Sequence, residues 1–172
     1  MKNSMLLLIA SAACLLQAQD ANVISASEKQ SWNNIKNLLT KQAEKMPEEN
    51  YKFKPVAEIQ DFGTRVAHIV TSDMRTCAAL RGEQKTVSLT ETSSKAQIAA
   101  AMKEAWDECD SVFNSLSDAD LHKMVTAGRG GQRPELLVIQ GMLEHSQEMY
   151  GYMSVYLRLK GIVPPSSARN EP

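Results

Sequence analysis

The stretch "MLEHSQEMYGYMSVYLRLKGIVPP", Met142 to Pro165, holds the residues of this chain best placed for chemistry. His145 and Met149 stand four apart, the spacing that stacks two side chains on one face of a helix. An imidazole is a nitrogen ligand for zinc, nickel or copper, and a thioether is a soft ligand suited to copper(I). The plainer use of the same pair is a core histidine with one hydrogen bond beside a core methionine, since Met commonly fills core gaps. Two other histidines occur, His68 and His122. His122 sits in the polar segment "SDADLHKMV" and reads as solvated surface, and Glu144 and Glu148 beside His145 read as solubilising carboxylates.

Four amphipathic segments must position these groups. The first runs from about Ser27 to Met46, with Trp32, Ile35, Leu39, Ala43 and Met46 at helical spacing and Pro47 as its stop. The second covers roughly Asp61 to Leu80, with Val66, Ile69, Val70, Cys77 and Leu80 on one face. The third begins at a Ser93-Ser94 cap and carries Ile98, Met102, Ala105, Trp106, Cys109, Phe113 and Leu116. A glycine-rich loop, "AGRGGQRP", leads to the fourth, which starts at Pro134 and ends before Gly161. Its inward face is read as Val138, Met142, His145, Met149, Tyr152 and Tyr156. Aromatic content of 5% against 43% hydrophobic residues suits helices better than a β-sandwich. The expectation is an all-α protein, a single four-helix bundle over residues 27–165, with a linker at 20–26 and a disordered tail at 166–172.

Lys2 followed by the uncharged apolar run Met5 to Leu16, with small or polar residues at Ala18 and Gln19, reads as a secretory signal peptide over residues 1–19. The run is too short for a permanent membrane span, so no stable membrane insertion is expected after its removal. A lipid anchor at Cys14 competes poorly, because Ser11-Ala12-Ala13 lacks a large aliphatic residue three positions before the cysteine. The protein is expected to be exported, periplasmic or secreted. With 19 basic and 20 acidic residues there is no charge excess to draw it to nucleic acid, and no nucleotide-binding loop or serine-nucleophile motif occurs.

Three patches, "AEKMPEENYKFKP" at 43–55, "FGTRVAHI" at 62–69 and "EHSQEMYGYMSVYLRLKGIVPPSS" at 144–167, together resemble the DinB-like, YfiT-like helical-bundle metalloenzymes. The resemblance spans nearly all of the chain after the signal peptide. It implies an up-down-down-up bundle and a divalent metal, zinc or nickel, held by three histidines with positions left open for water or substrate. Carried over, the ligands fall on His68, His145 and, in place of a third histidine, Met149. The three positions are expected to meet at one end of an interhelical cavity. Affinity for zinc or nickel should be lowered by the thioether, with copper favoured if Met149 ligates. The implied activity is binding of a small molecule at a degraded metal site. The alternative is an active metal-dependent enzyme, a thiol-dependent transferase or hydrolase, using His68 and His145 with another donor. The surface leaves a homodimer open.

On an ideal helix His68 lies nearly opposite the apolar stripe of its segment, as a surface or cleft histidine would. Asp73 falls inside that stripe, where a carboxylate needs a partner. It can orient a histidine from behind, replace the missing ligand or, more plainly, bond to a backbone or tyrosine group. Cys77 and Cys109 lie on core-facing stripes of neighbouring helices in an oxidising compartment, which favours a disulfide over two buried free thiols.

Overall fold

Apolar stripes at helical spacing have to be buried against one another, and in the computed structural model, which describes residues 22–127 and 131–170, they close a four-helix bundle. The helices are α1 (Val23–Lys45), α2 (Phe62–Leu80), α3 (Lys95–Ser115) and α4 (Glu135–Leu159). Directions follow from cross-helix contacts. Gln42, late in α1, donates to the Tyr150 carbonyl late in α4, and Gln140, early in α4, donates to Glu28 early in α1, so these two helices are parallel. Trp32 donates to Asp110 and Lys95 to the Glu44 carbonyl, so α1 and α3 run opposite ways. Cys77 and Cys109 lie late in both α2 and α3, making that pair parallel. The result is the expected up-down-down-up order. Each helix packs on the two that are not diagonal to it, and α2 has α3 and α4 as its neighbours.

Local sequence explains most boundaries. Asp61 caps α2 by accepting from the Thr64 amide at 2.7 Å, and Ser94 with Gln97 forms a reciprocal capping box on α3. The 47–55 loop is pinned by Tyr51, whose hydroxyl donates to the Ala43 carbonyl and whose own carbonyl accepts from the Gly63 amide at 2.8 Å. A Cβ on Gly63 would stand 3.0 Å from the Tyr51 ring and 3.2 Å from its carbonyl oxygen, so glycine is what lets loop and helix meet. Gly161, at φ 71°, takes the left-handed turn that ends α4. The core is anchored by Trp32, stacked on Phe113 with ring centres 5.3 Å apart and edge-on to Trp106 at 5.4 Å.

Three features depart from the sequence reading. The first helix begins at Val23 rather than Ser27, so most of the expected 20–26 linker is helical. Its cap comes from far along the chain: the Asp118 carboxylate accepts from the Ile24 amide at 3.2 Å and the Ser25 amide at 2.7 Å. Those bonds hold the carboxyl below its ordinary range. The glycine-rich connection carries a short antiparallel hairpin, β1 (Met124–Thr126) on β2 (Gln132–Pro134), with Met124 opposite Pro134. Within the tail expected at 166–172, the described residues take 3₁₀ form over Pro165–Asn170, and the Ser166 amide donates to the Tyr150 hydroxyl at 2.9 Å. The signal peptide expected at 1–19, including Cys14, lies outside the described residues. No helix among the described residues is long and apolar enough to cross a membrane.

Cys77 and Cys109 form a disulfide with their Cα atoms 5.1 Å apart, both fully buried. With a sequence separation of 32 the bridge ties α2 to α3 across the whole 81–94 connection. The chain-entropy model assigns such a loop about 3–4 kcal/mol. In protein lacking residues 1–19, and with them Cys14, two free thiols per unfolded, unreduced chain would contradict this bond; the expected count is none. Dithiothreitol should lower the melting temperature, by roughly 2–4 °C for each kcal/mol lost in a chain of this size.

Candidate functional site

Because α2 and α4 are antiparallel neighbours, residues early in one face residues late in the other. Arg65 meets Tyr156, His68 meets His145, and Cys77 touches Met142, its Sγ 3.7 Å from the Met142 Sδ with no thiol hydrogen to share. The two histidines therefore converge at the edge of the seam. His68 is exposed, as its position opposite the apolar stripe implies, and His145 is half-buried. The sequence reading and the resemblance pulled His68 in different directions, and both describe it: it faces solvent and it still reaches the other helix.

The Nε2 atoms are 3.3 Å apart, and the rings stand nearly perpendicular with centres 5.2 Å apart. A metal ion held roughly 2.0–2.1 Å from each nitrogen at a tetrahedral angle sets the nitrogens about 3.3 Å apart and the ring centres about 5.2 Å apart. A straight N–H···N bond of the same length would leave the centres about 5.6 Å apart. The spacing suits two corners of a tetrahedral site and equally a hydrogen bond bent from linearity. Burial, and to a smaller degree the neighbouring His68, lowers the His145 pKa against the opposing pull of Glu148. That favours the neutral imidazole a metal requires.

The remaining corners are less well provided. Met149, one turn beyond His145, is 6% exposed and supplies only a thioether. Among the described residues no three His, Cys, Asp or Glu side chains come together as a ligand set. Glu144, Glu148 and His122 are exposed, as expected of solvated groups. The surroundings differ from the interhelical cavity expected: the hollow beside His68, about 250 Å³, is lined from α2 alone by His68, Thr71, Ser72, Arg75 and Thr76. It is a surface trough. Tyr152, read as inward, is 47% exposed and donates its hydroxyl to Glu148 at 2.9 Å. The residues thus fit an ion through two nitrogens and do not complete a three-residue site.

A sequence model of the DinB superfamily matches residues 30–153. Solved structures share the fold. A DinB-like protein from Bacillus cereus superposes with a TM-score of 0.64 at 20% identity, covering 79% of this chain and 92% of that one. A DinB-like protein from Bacillus subtilis gives 0.63 at 17% identity, over 78% and 92%. A mycothiol-dependent maleylpyruvate isomerase gives 0.59 at 10% identity, over 76% of this chain and 60% of that one. No curated protein matches the chain by sequence.

Directly behind the histidines lies a group that the sequence reading half anticipated. Asp73 is fully buried, and its hydrogen-bond partner is neither an imidazole, a tyrosine nor a backbone group but Ser146, the residue after His145, at 3.3 and 3.4 Å. Ser146 also lies 2.9 Å from the Met142 carbonyl, and its hydroxyl has one hydrogen to give. The same hydroxyl is placed to donate to the Asp73 carboxyl and to the Met142 carbonyl, which share its one hydrogen. Burial pushes the Asp73 pKa well above the ordinary value, only partly offset by the bond from Ser146. Ser146 was missed because a serine on the core face of a helix carries no sequence signal of its own.

Below the unfolded pKa, near 3.8, folded and unfolded chains both hold the Asp73 proton and the burial has no pH-linked cost. As pH rises toward the folded pKa, only the unfolded chain releases the proton, so stability is lost over that window. Asp73→Asn, which removes the ionisable group and keeps an acceptor for Ser146, should therefore melt several degrees higher than wild type at pH 7. The gain should vanish near pH 4. Thermal melts of both proteins between pH 3.5 and pH 8 check this, and an Asp73→Asn protein less stable at pH 7 would contradict a neutral Asp73.

Proposed function

The chain belongs to the DinB superfamily, and we propose that it is an exported, small-molecule-binding member whose metal site is reduced to His68 and His145. The observation that carries this reading is the two-nitrogen geometry of the histidine pair with a buried methionine at the third position. Two imidazoles and a poorly matched thioether hold zinc or nickel far less well than three imidazoles. When bound, such an ion would supply Lewis-acid polarisation of an oxygen or sulfur donor on the ligand. The chain's own contribution is to orient the imidazoles, which Asp73, Ser146 and the disulfide do by fixing α2 against its neighbours. Export is supported by the Cys77–Cys109 disulfide, a bond typical of oxidising compartments.

The histidine geometry also favours a second reading: an active metal-dependent enzyme in which a donor from the ligand or solvent completes the site. The mycothiol-dependent isomerase of similar fold supports a thiol as that donor. Titration calorimetry separates the two. Under the first reading zinc and nickel bind wild type weakly, and Met149→His raises their affinity by more than about tenfold. Tight, stoichiometric zinc in wild type that is lost in His145→Ala would favour the enzyme instead. A Met149→His protein that gains nothing would show that the third position does not face the pair.

A further inference from the structure

One turn before His68 on the same exposed face of α2 stands Arg65, and its guanidinium is held unusually well for a half-buried side chain. Its Nε donates to the Tyr156 hydroxyl at 2.8 Å, and that hydroxyl donates in turn to the Gln60 carbonyl at 2.7 Å. The guanidinium carbon lies 5.2 Å from the Tyr152 ring centre and 5.7 Å from that of Tyr156, so two aromatic rings flank it. Yet it has no ion pair among the described residues. The carboxylate nearest on α4, Glu148, is bonded to the Tyr152 hydroxyl. Asp61, at the head of α2, is engaged by the Thr64 amide and by Lys52.

An arginine fixed at Nε and flanked by aromatic rings, with neither Nη group bonded among the described residues, has already lost much of the side-chain freedom that binding would otherwise cost. Its planar fork matches a carboxylate or phosphate, which it can engage through two parallel bonds. Along α2 the fork's residue stands about 4.5 Å from the level of His68, and along α4 Tyr152 stands about 10 Å from His145, at 1.5 Å per residue. A small molecule spans that separation.

We propose that Arg65 is the oxyanion-holding residue of this site, so that the ligand is a small anion whose carboxylate or phosphate pairs with Arg65 while its other end reaches His68 and His145. Only that second contact rests on the function proposed above. Arg65 binds the anion whether or not a metal is present, and the other charged groups along these faces include Arg75, Glu144, Glu148 and Lys160, whose ammonium lies over the Phe53 ring one turn past Tyr156. Arg81, just past the far end of α2, is exposed and ion-paired with Glu83 and Glu108, which makes it the natural control.

The test is titration calorimetry of the metal-free protein in chelator with malonate and, separately, with inorganic phosphate. The tighter of the two identifies the oxyanion. Arg65→Gln should weaken that binding by about tenfold or more, Arg65→Lys by less, and Arg81→Gln should leave it unchanged. If Arg65→Gln fails to fold, Tyr156→Phe serves in its place: it keeps the charge but frees the guanidinium, and should weaken binding by about threefold. Wild-type protein with no saturable binding of either anion on the order of 10 mM, or an Arg65→Gln protein that binds as wild type does, overturns the proposal. So does a folded Tyr156→Phe protein with unchanged affinity where it stands in for Arg65→Gln. A parallel nickel titration of His145→Ala keeps the two claims apart, since that variant should lose metal and retain the Arg65-dependent anion. Nickel binding without anion binding sinks the arginine alone, and anion binding with no nickel uptake even in Met149→His sinks the metal reading alone.

Discussion

Everything at the candidate site depends on the register of α2 against α4, and that register is held at the bundle centre by a buried carboxyl. Ser146 is placed to donate to Asp73 and to the Met142 carbonyl, and Met142 in turn packs on the Cys77–Cys109 disulfide. A slip of one helical turn, about 5.4 Å, would leave the carboxyl buried without a partner and cost several kcal/mol. The same slip would pull His68 away from His145. Apolar stripes alone do not set register so sharply, because Leu, Ile and Met positions a turn apart are nearly interchangeable, whereas a single polar pair in a core has one satisfied arrangement.

The bundle was legible because its signals are local. Trp32, Ile35, Leu39, Ala43 and Met46 repeat at helical spacing and are all buried, and Asp61 and Ser94 cap the helices they precede. What escaped the sequence is what depends on distant partners. The start of α1 is set by Asp118, and the tail turn is held by Tyr150, neither of which is visible from neighbouring residues. The hairpin strands are three residues each, too short for an alternating pattern to emerge. Tyr152 was misread for a related reason. An aromatic at the margin of an inward face has two stable choices, and a cation across the seam, Arg65, draws the ring outward.

The site itself was legible only in part. The histidine pairing came from the resemblance, since spacing on α2 points His68 away from the core, and the structure reconciles the two by placing the seam edge at the surface. The roles of Ser146 and Arg65 had no sequence signal. A serine on a core face and an arginine on an exposed one are ordinary until their partners are known. Electrostatically the edge is mixed, with Arg65 and Arg75 on α2 against Glu144 and Glu148 on α4.

The methionine at the third position also has a thermodynamic logic. Met149 is almost fully buried, and a thioether there needs no hydrogen-bond partner. An imidazole in the same place would be a buried polar group, costing on the order of 1–3 kcal/mol unless something bonded its nitrogen. In a three-histidine bundle the metal ion does that, so metal binding contributes directly to the stability of the fold. On the reading proposed above, Met149 removes that dependence. Asp73 with Ser146 ties α2 to α4, and the disulfide ties it to α3. On the same reading, binding at the pair is uncoupled from folding, and its affinity is set by the ligand and by the few side chains at the seam edge.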